Sequence, residues 1–130
     1  MRILLDTHAW LWFYLGDPQL SSRARSLIEA PVNEKLVSPA SYWELAIKVS
    51  VGKIQLTESY EEMLQHAILD NGFAILPIEI RHTVHICSLP FPPAHKDPFD
   101  RLLVAQAIVE NMPIVSADSA LDAYGVQRLW

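Results

Sequence analysis

At 130 residues, 51% of them hydrophobic, the chain suffices for one domain with a real core and leaves no room for two. A single cysteine, Cys87, excludes an intrachain disulfide and suits a reducing compartment. The formal net charge of −5 argues at first sight against nucleic acid as a partner, because typical binders present a basic surface to phosphate.

The chain opens on Arg2 to Leu5 (RILL), a short apolar run that reads as a buried strand ending at Asp6. Asp6 and His8 interrupt the apolar stretch and no small-residue cleavage site follows, which is unlike a signal peptide. No run approaches the length of a membrane span, so a soluble, cytoplasmic protein is expected. His8 to Leu15 reads as a helix closed by Gly16-Asp17-Pro18, and Ser22 to Ala30 as a second, with Pro31 after it. Lys35 to Val37 is a short strand. Ser38-Pro39 is a helix start, an N-cap with proline at the first helical position, and Gly52 stops that helix after Val51.

Thr57 or Ser59 caps the next helix, which carries Tyr60, Met63, Leu64, Ala67 and Ile68 on one stripe until Asn71-Gly72. Phe73 to Pro77 reads as a strand and Ile78 to Ser88 as a helix, on which Cys87 falls in line with Ile80 and Val84 and is expected to be buried. After a proline-rich loop, a stiff connector, Asp97-Pro98 restarts a helix that runs to about Asn111. Pro113 to Ala117 is a strand ending at Asp118, Ala120 to Tyr124 a short helix, and Val126 to Leu129 a last strand. Short apolar strands alternating with helices predict a single doubly wound α/β domain over 1–130, a mainly parallel sheet with helices on both faces in three layers.

Such sheets bind ligands beyond the carboxyl ends of the strands, where the strand order reverses. Asp6 and Asp118 each end a strand. Glu44 shares a helical stripe with Ala40, Ile47 and Val51, and Asp100 heads one of Leu103, Val104, Ala107 and Ile108. Four convergent carboxylates must take up protons or bind a cation, and oxygen-only ligands select Mg²⁺ or Mn²⁺. That chemistry suits metal-assisted phosphodiester hydrolysis. Setting these four acids aside leaves 11 acids against 10 Lys plus Arg, so the acidity belongs largely to the site. Each acid also has a structural reading: Asp6 and Asp118 as N-caps, Asp100 as a helix-start acid, Glu44 as the partner of Lys48 at i,i+4. Their combination favours the site.

At these residues the chain resembles the PIN-domain family, in particular its VapC-type toxins. LLDTHAWLW at 4–12, SPASYWELAIKVSVGKI at 38–54, HKDPFDRLLVAQA at 95–107 and IVSAD at 114–118 carry the resemblance across nearly the whole chain. It implies Mg²⁺- or Mn²⁺-dependent cleavage of single-stranded RNA, a homodimer and a cognate antitoxin. Asp6, Glu44, Asp100 and Asp118 match the acidic quartet, and Thr7 and Ser116 match hydroxyl positions that support the metal and its waters.

Around the quartet, Asp97 is read as the N-cap of the helix that carries Asp100, with at most a supporting role at the site. Lys48, Arg101 and His95 flank the acids and are candidates for phosphate contact. His82 and His85, at i,i+3 with no third ligand in register, are read as a solvated helix face rather than a zinc site. Trp10, Trp12, Phe13 and Tyr14 crowd one helix and are expected to leave aromatic surface for a partner, as is the amphipathic helix at 58–71. Two rivals to a nuclease are weighed. A receiver-type signalling module wants a paired acid at Asp6 and a late lysine, both missing here. A binding protein with a degenerate site is disfavoured by the intact quartet.

Overall fold

The computed structural model describes residues 1–93 and 97–130. Five parallel strands form one sheet in the order β3-β2-β1-β4-β5: β1 (Arg2–Leu5), β2 (Glu34–Val37), β3 (Ala74–Ile75), β4 (Ile114–Val115) and β5 (Arg128–Leu129). Side chains alternate across the pleat. Ile3 and Leu5 join Val37, Val115 and Leu129 in one core, whereas Leu4, Leu36 and Ile114 belong to a second on the opposite face. A continuous apolar run is what a strand covered on both faces requires, and the three-layer α/β/α architecture follows.

Helices α1 (Thr7–Leu15), α2 (Ser22–Glu29), α3 (Pro39–Ser50), α4 (Tyr60–Leu64), α5 (Ile80–Ile86) and α6 (Pro98–Val109) fill the layers. Local chemistry sets their ends. Gly16 at φ 64° closes α1, and Asn111 at φ 52° takes the left-handed turn after α6. Ser38 accepts from the backbone N–H of Ala40 at 3.1 Å, with Pro39 next, so α3 starts where the sequence marks it. The helix expected over 58–71 is α4 capped by Ser59, followed by one π-helical segment, Gln65–Leu69. There the indole N–H of Trp10 donates to the Ala67 carbonyl at 3.0 Å. The short helix after Asp118 is a 3₁₀ helix, Ser119–Tyr124.

The face of α5 is the reverse of the one expected. His82 is fully buried: its Nδ1 accepts from the backbone N–H of Glu79 at 2.9 Å, and its Nε2 lies 3.3 Å from Glu110 Oε2. Glu110 also pairs with Arg81 and, at 3.9 Å, with Arg2. The apolar stripe of Ile80 and Val84 is exposed instead, and Cys87 with it. The N–H donor and the carboxylate give a buried histidine the partners it needs, so this face can turn inward and the stripe lies outward. The aromatic helix is also more packed than expected. Trp10 is fully buried, while Trp12, Phe13 and Tyr14 are half-buried against the first core. Among the described residues no helix is long and apolar enough to cross a membrane.

Candidate metal centre at the switch point

In the strand order β3-β2-β1-β4-β5 the winding reverses between β1 and β4, whose carboxyl ends meet at Leu5 and Val115. Asp6 is the next residue after β1 and Ser116 the next after β4. The Asp6 backbone N–H donates to the Val115 carbonyl at 3.1 Å, which carries the ladder one residue into the crevice.

Asp6 is buried, with 6% of its surface exposed. Its Oδ1 accepts from the backbone N–H of Ala9 at 2.7 Å, so the N-cap and candidate-ligand readings describe the same side chain. Burial raises its pKa to about 6. The Ser116 hydroxyl, the Ala9 N–H and the charge of His8 oppose that rise, and the negative charge of Asp100 adds to it. Asp6 and Asp100 are therefore electrostatically coupled across the crevice. Ser116 in turn accepts from the backbone N–H of Asp118 at 3.0 Å, so one hydroxyl ties the ends of β1 and β4 together. The carboxylate of Asp118 caps the 3₁₀ helix through Ala120 N–H at 3.0 Å, and its charge is felt by Arg128.

Glu44 stands on α3, which packs against both α1 and α6. Its Oε2 pairs with Lys48 Nζ at 3.3 Å, while its Oε1 is buried with no hydrogen-bond partner among the described residues. An orphaned carboxylate oxygen inside a protein is costly unless something electropositive reaches it. Thr7, at the start of α1, donates its hydroxyl to Ser41 Oγ at 3.0 Å and so fixes α3 relative to the end of β1.

Asp97 is the N-cap of α6: its Oδ1 accepts from the backbone N–H of Asp100 at 3.0 Å. Arg101 is buried, and its Nη2 has no hydrogen-bond partner among the described residues. Its Nη1 donates to the Pro90 carbonyl at 2.6 Å, and its guanidinium lies 4.0 Å from the centroid of the Phe91 ring and 5.8 Å from that of Tyr124. Arg101 thus holds the proline-rich loop to α6; of Lys48 and Arg101, it is Lys48 that pairs with a candidate acid. His95 lies outside the described residues.

The sequence reading missed three neighbours. Ser41 receives the Thr7 hydroxyl. His8 lowers the pKa of Asp6. Arg128 donates to the Ser116 carbonyl at 3.1 Å and makes a two-point pair with Asp122. Arg128 pairs in register with Ile114, and only strand pairing reveals it.

The donor set fits a hard divalent ion: all oxygen, with one buried carboxyl raised to about 6 and one buried oxygen without a partner. Among the described residues no three acidic, histidine or cysteine side chains approach closely enough to clasp one ion as they stand.

The model of the PIN domain matches residues 3–127. No curated protein matches the sequence. Several solved structures share the fold. VapBC2 of Rickettsia felis, solved bound to a DNA fragment from its promoter, superposes with a TM-score of 0.74 at 17% identity, covering 99% of this chain and 98% of that one. FitAcB of Neisseria gonorrhoeae gives 0.66 at 21% identity, over 98% and 96%. VapBC-1 of nontypeable Haemophilus influenzae gives 0.66 at 16%, over 99% and 97%.

Proposed function

The chain belongs to the PIN-domain family, and from that membership together with the acidic crevice we propose that it is a metal-dependent endoribonuclease cleaving single-stranded RNA, the toxin of a toxin–antitoxin pair. The observation that carries the reading is the buried Asp6 at the switch point, its carboxyl raised to about 6 and coupled to Asp100. A family of nucleases and structural neighbours that are two-component complexes support it.

Asp6, Glu44, Asp100 and Asp118 would hold Mg²⁺ or Mn²⁺, which when bound lowers the pKa of a coordinated water and stabilises charge on a phosphate oxygen. The remaining roles fall to this chain's own groups. Above about pH 6 Asp6 loses its proton and becomes a competent oxygen donor, kept in place by Ser116 and the Ala9 N–H. Lys48 neutralises one oxygen of Glu44 and leaves the other turned inward. Thr7 and Ser116 hold the backbone and carboxylates on either side of the crevice and restrict where water can sit.

The partners follow from the same reading. The antitoxin would place a basic side chain near the acids and block metal or phosphate. Hydrophobic surface for it is available on an open groove of about 730 Å³, where Tyr42, Leu64, Ile68, Leu69 and Ile75 supply the apolar lining and Glu61 and Glu62 the charge. A homodimer is proposed through the outward stripe of α5, where Ile80 is 83% exposed beside Val84. The deciding experiment is cleavage of a single-stranded RNA with and without Mn²⁺, comparing the wild type with Asp6→Asn. Metal-dependent cleavage that survives Asp6→Asn would remove the site assignment.

A further inference from the structure

Four tryptophans occur in the chain, and one of them is handled differently. Trp10 is fully buried, and Trp12 and Trp130 are half-buried against each other at 5.9 Å. Trp43, by contrast, is 59% exposed. It precedes Glu44 on α3 and meets Phe99 edge to face, with centroids 5.1 Å apart and planes at 76°. Phe99 packs into the second core and immediately precedes Asp100. The indole therefore bridges the two helices that carry Glu44 and Asp100, anchored on one side and open to solvent on the other. A second exposed ring, Phe91 at 71%, stacks over Arg101 in the first turn of α6.

We propose that Trp43 is a substrate-positioning residue that stacks an unpaired nucleobase and so sets the adjoining phosphate at the acids. This inference rests on the ribonuclease reading above and names how that site would hold its strand. The charge balance favours it. At a net −5, or −1 with the four site acids set aside, the chain offers no basic excess for phosphate neutralisation, and bound metal relieves repulsion of the backbone only at the crevice. Stacking supplies binding that is independent of that repulsion. It also tolerates any sequence, since every base offers a π face, and it requires a single strand, since paired bases have theirs covered. An edge-to-face partner fixes the ring orientation while occupying little of the indole, which is the preorganisation a stacking platform needs.

The test uses the full-length protein with Mn²⁺ and single-stranded RNA oligonucleotides. Trp43→Ala should raise KM roughly tenfold while kcat changes much less, and Trp43→Phe should recover most of the loss. RNA should quench indole fluorescence in the wild type and much less in Trp43→Ala. An oligonucleotide made abasic at the stacked position should weaken wild-type binding by a similar factor and cost Trp43→Ala nothing further. An unchanged KM in Trp43→Ala overturns the proposal. A lost dimer or lost antitoxin binding with KM unmoved also overturns it, and assigns the indole to a protein interface. Failure of the wild type to cleave RNA at all would instead strike the ribonuclease reading itself, and the stacking proposal with it.

Discussion

Asp97 accepts a hydrogen bond from the backbone N–H of Asp100 at 3.0 Å, so of two carboxylates in one helical turn the first is committed to the helix cap. The first satisfies an orphan donor at the start of α6, and the second is coupled to Asp6. Asp97→Ala should cost about 0.5–2 kcal/mol in a denaturant titration, and Asp97→Ser should recover most of it with cleavage intact. Asp100→Asn should fold normally and lose cleavage. Loss of metal binding in Asp97→Ser alongside its retention in Asp100→Asn would reverse the assignment.

Asp6 predicts an unusual pH profile. A carboxyl raised from 3.8 to about 6 on folding binds more protons in the native state than in the unfolded chain between those values. Metal-free protein should therefore lose stability as pH rises through that window, by up to about 3 kcal/mol, and keep the full contribution below it. Asp6→Asn retains a good N-cap and carries no charge. It should be more stable than the wild type at pH 7 without metal, and no more stable at pH 4, in parallel thermal melts. Cleavage should be lost at both. Equal melting of the two proteins at pH 7 would contradict the burial argument.

The exposed stripe of α5 yields a prediction about assembly. Val84→Asp places a charge at the centre of the proposed dimer face, where an unpaired carboxylate is expensive to desolvate. Sedimentation velocity should show a folded monomer in place of a dimer. A variant that remains dimeric would mean that another surface holds the two copies.

His82 lies at the other end of the molecule from the acids. Its partner Glu110 reaches Arg2, the first residue of β1, whereas Asp6 follows the last. His82→Leu would leave the Glu79 N–H and part of Glu110 without partners inside the protein. The expected cost is about 1–3 kcal/mol in urea unfolding, with activity per folded molecule unchanged. A selective loss of activity without loss of stability would refute this separation.

The order of elements and the strand-end position of Asp6 were legible because local signals agree there: an apolar run, then an acid, then a helix. The same holds for Ser38-Pro39 and Asp97-Pro98, where a cap residue and a proline mark one boundary together. What the sequence obscured depended on long-range partners. The apolar stripe of Ile80, Val84 and Cys87 suggested a buried face, and only the meeting of His82 with Glu110 shows why the other face turns in. Arg101 reads as a cation beside an acid until the Pro90 carbonyl and the Phe91 ring come into view. The π-helical segment at Gln65–Leu69 reads as ordinary helix from its apolar stripe, and its Ala67 carbonyl takes the Trp10 indole N–H from a distant element.

Strand β1 sits at the middle of the sheet, and its two neighbours come from opposite parts of the chain: Leu5 pairs with Val37 on one side and with Val115 on the other. During synthesis the first pairing is available early, but the second waits until residues 114–115 have left the ribosome. At 5–20 residues per second that interval is on the order of seconds. Throughout it the crevice has one wall, since Asp6 lacks Ser116 and Asp118 opposite. Any chemistry that needs the ends of β1 and β4 side by side therefore waits on the second pairing, however early β1 and β2 have met.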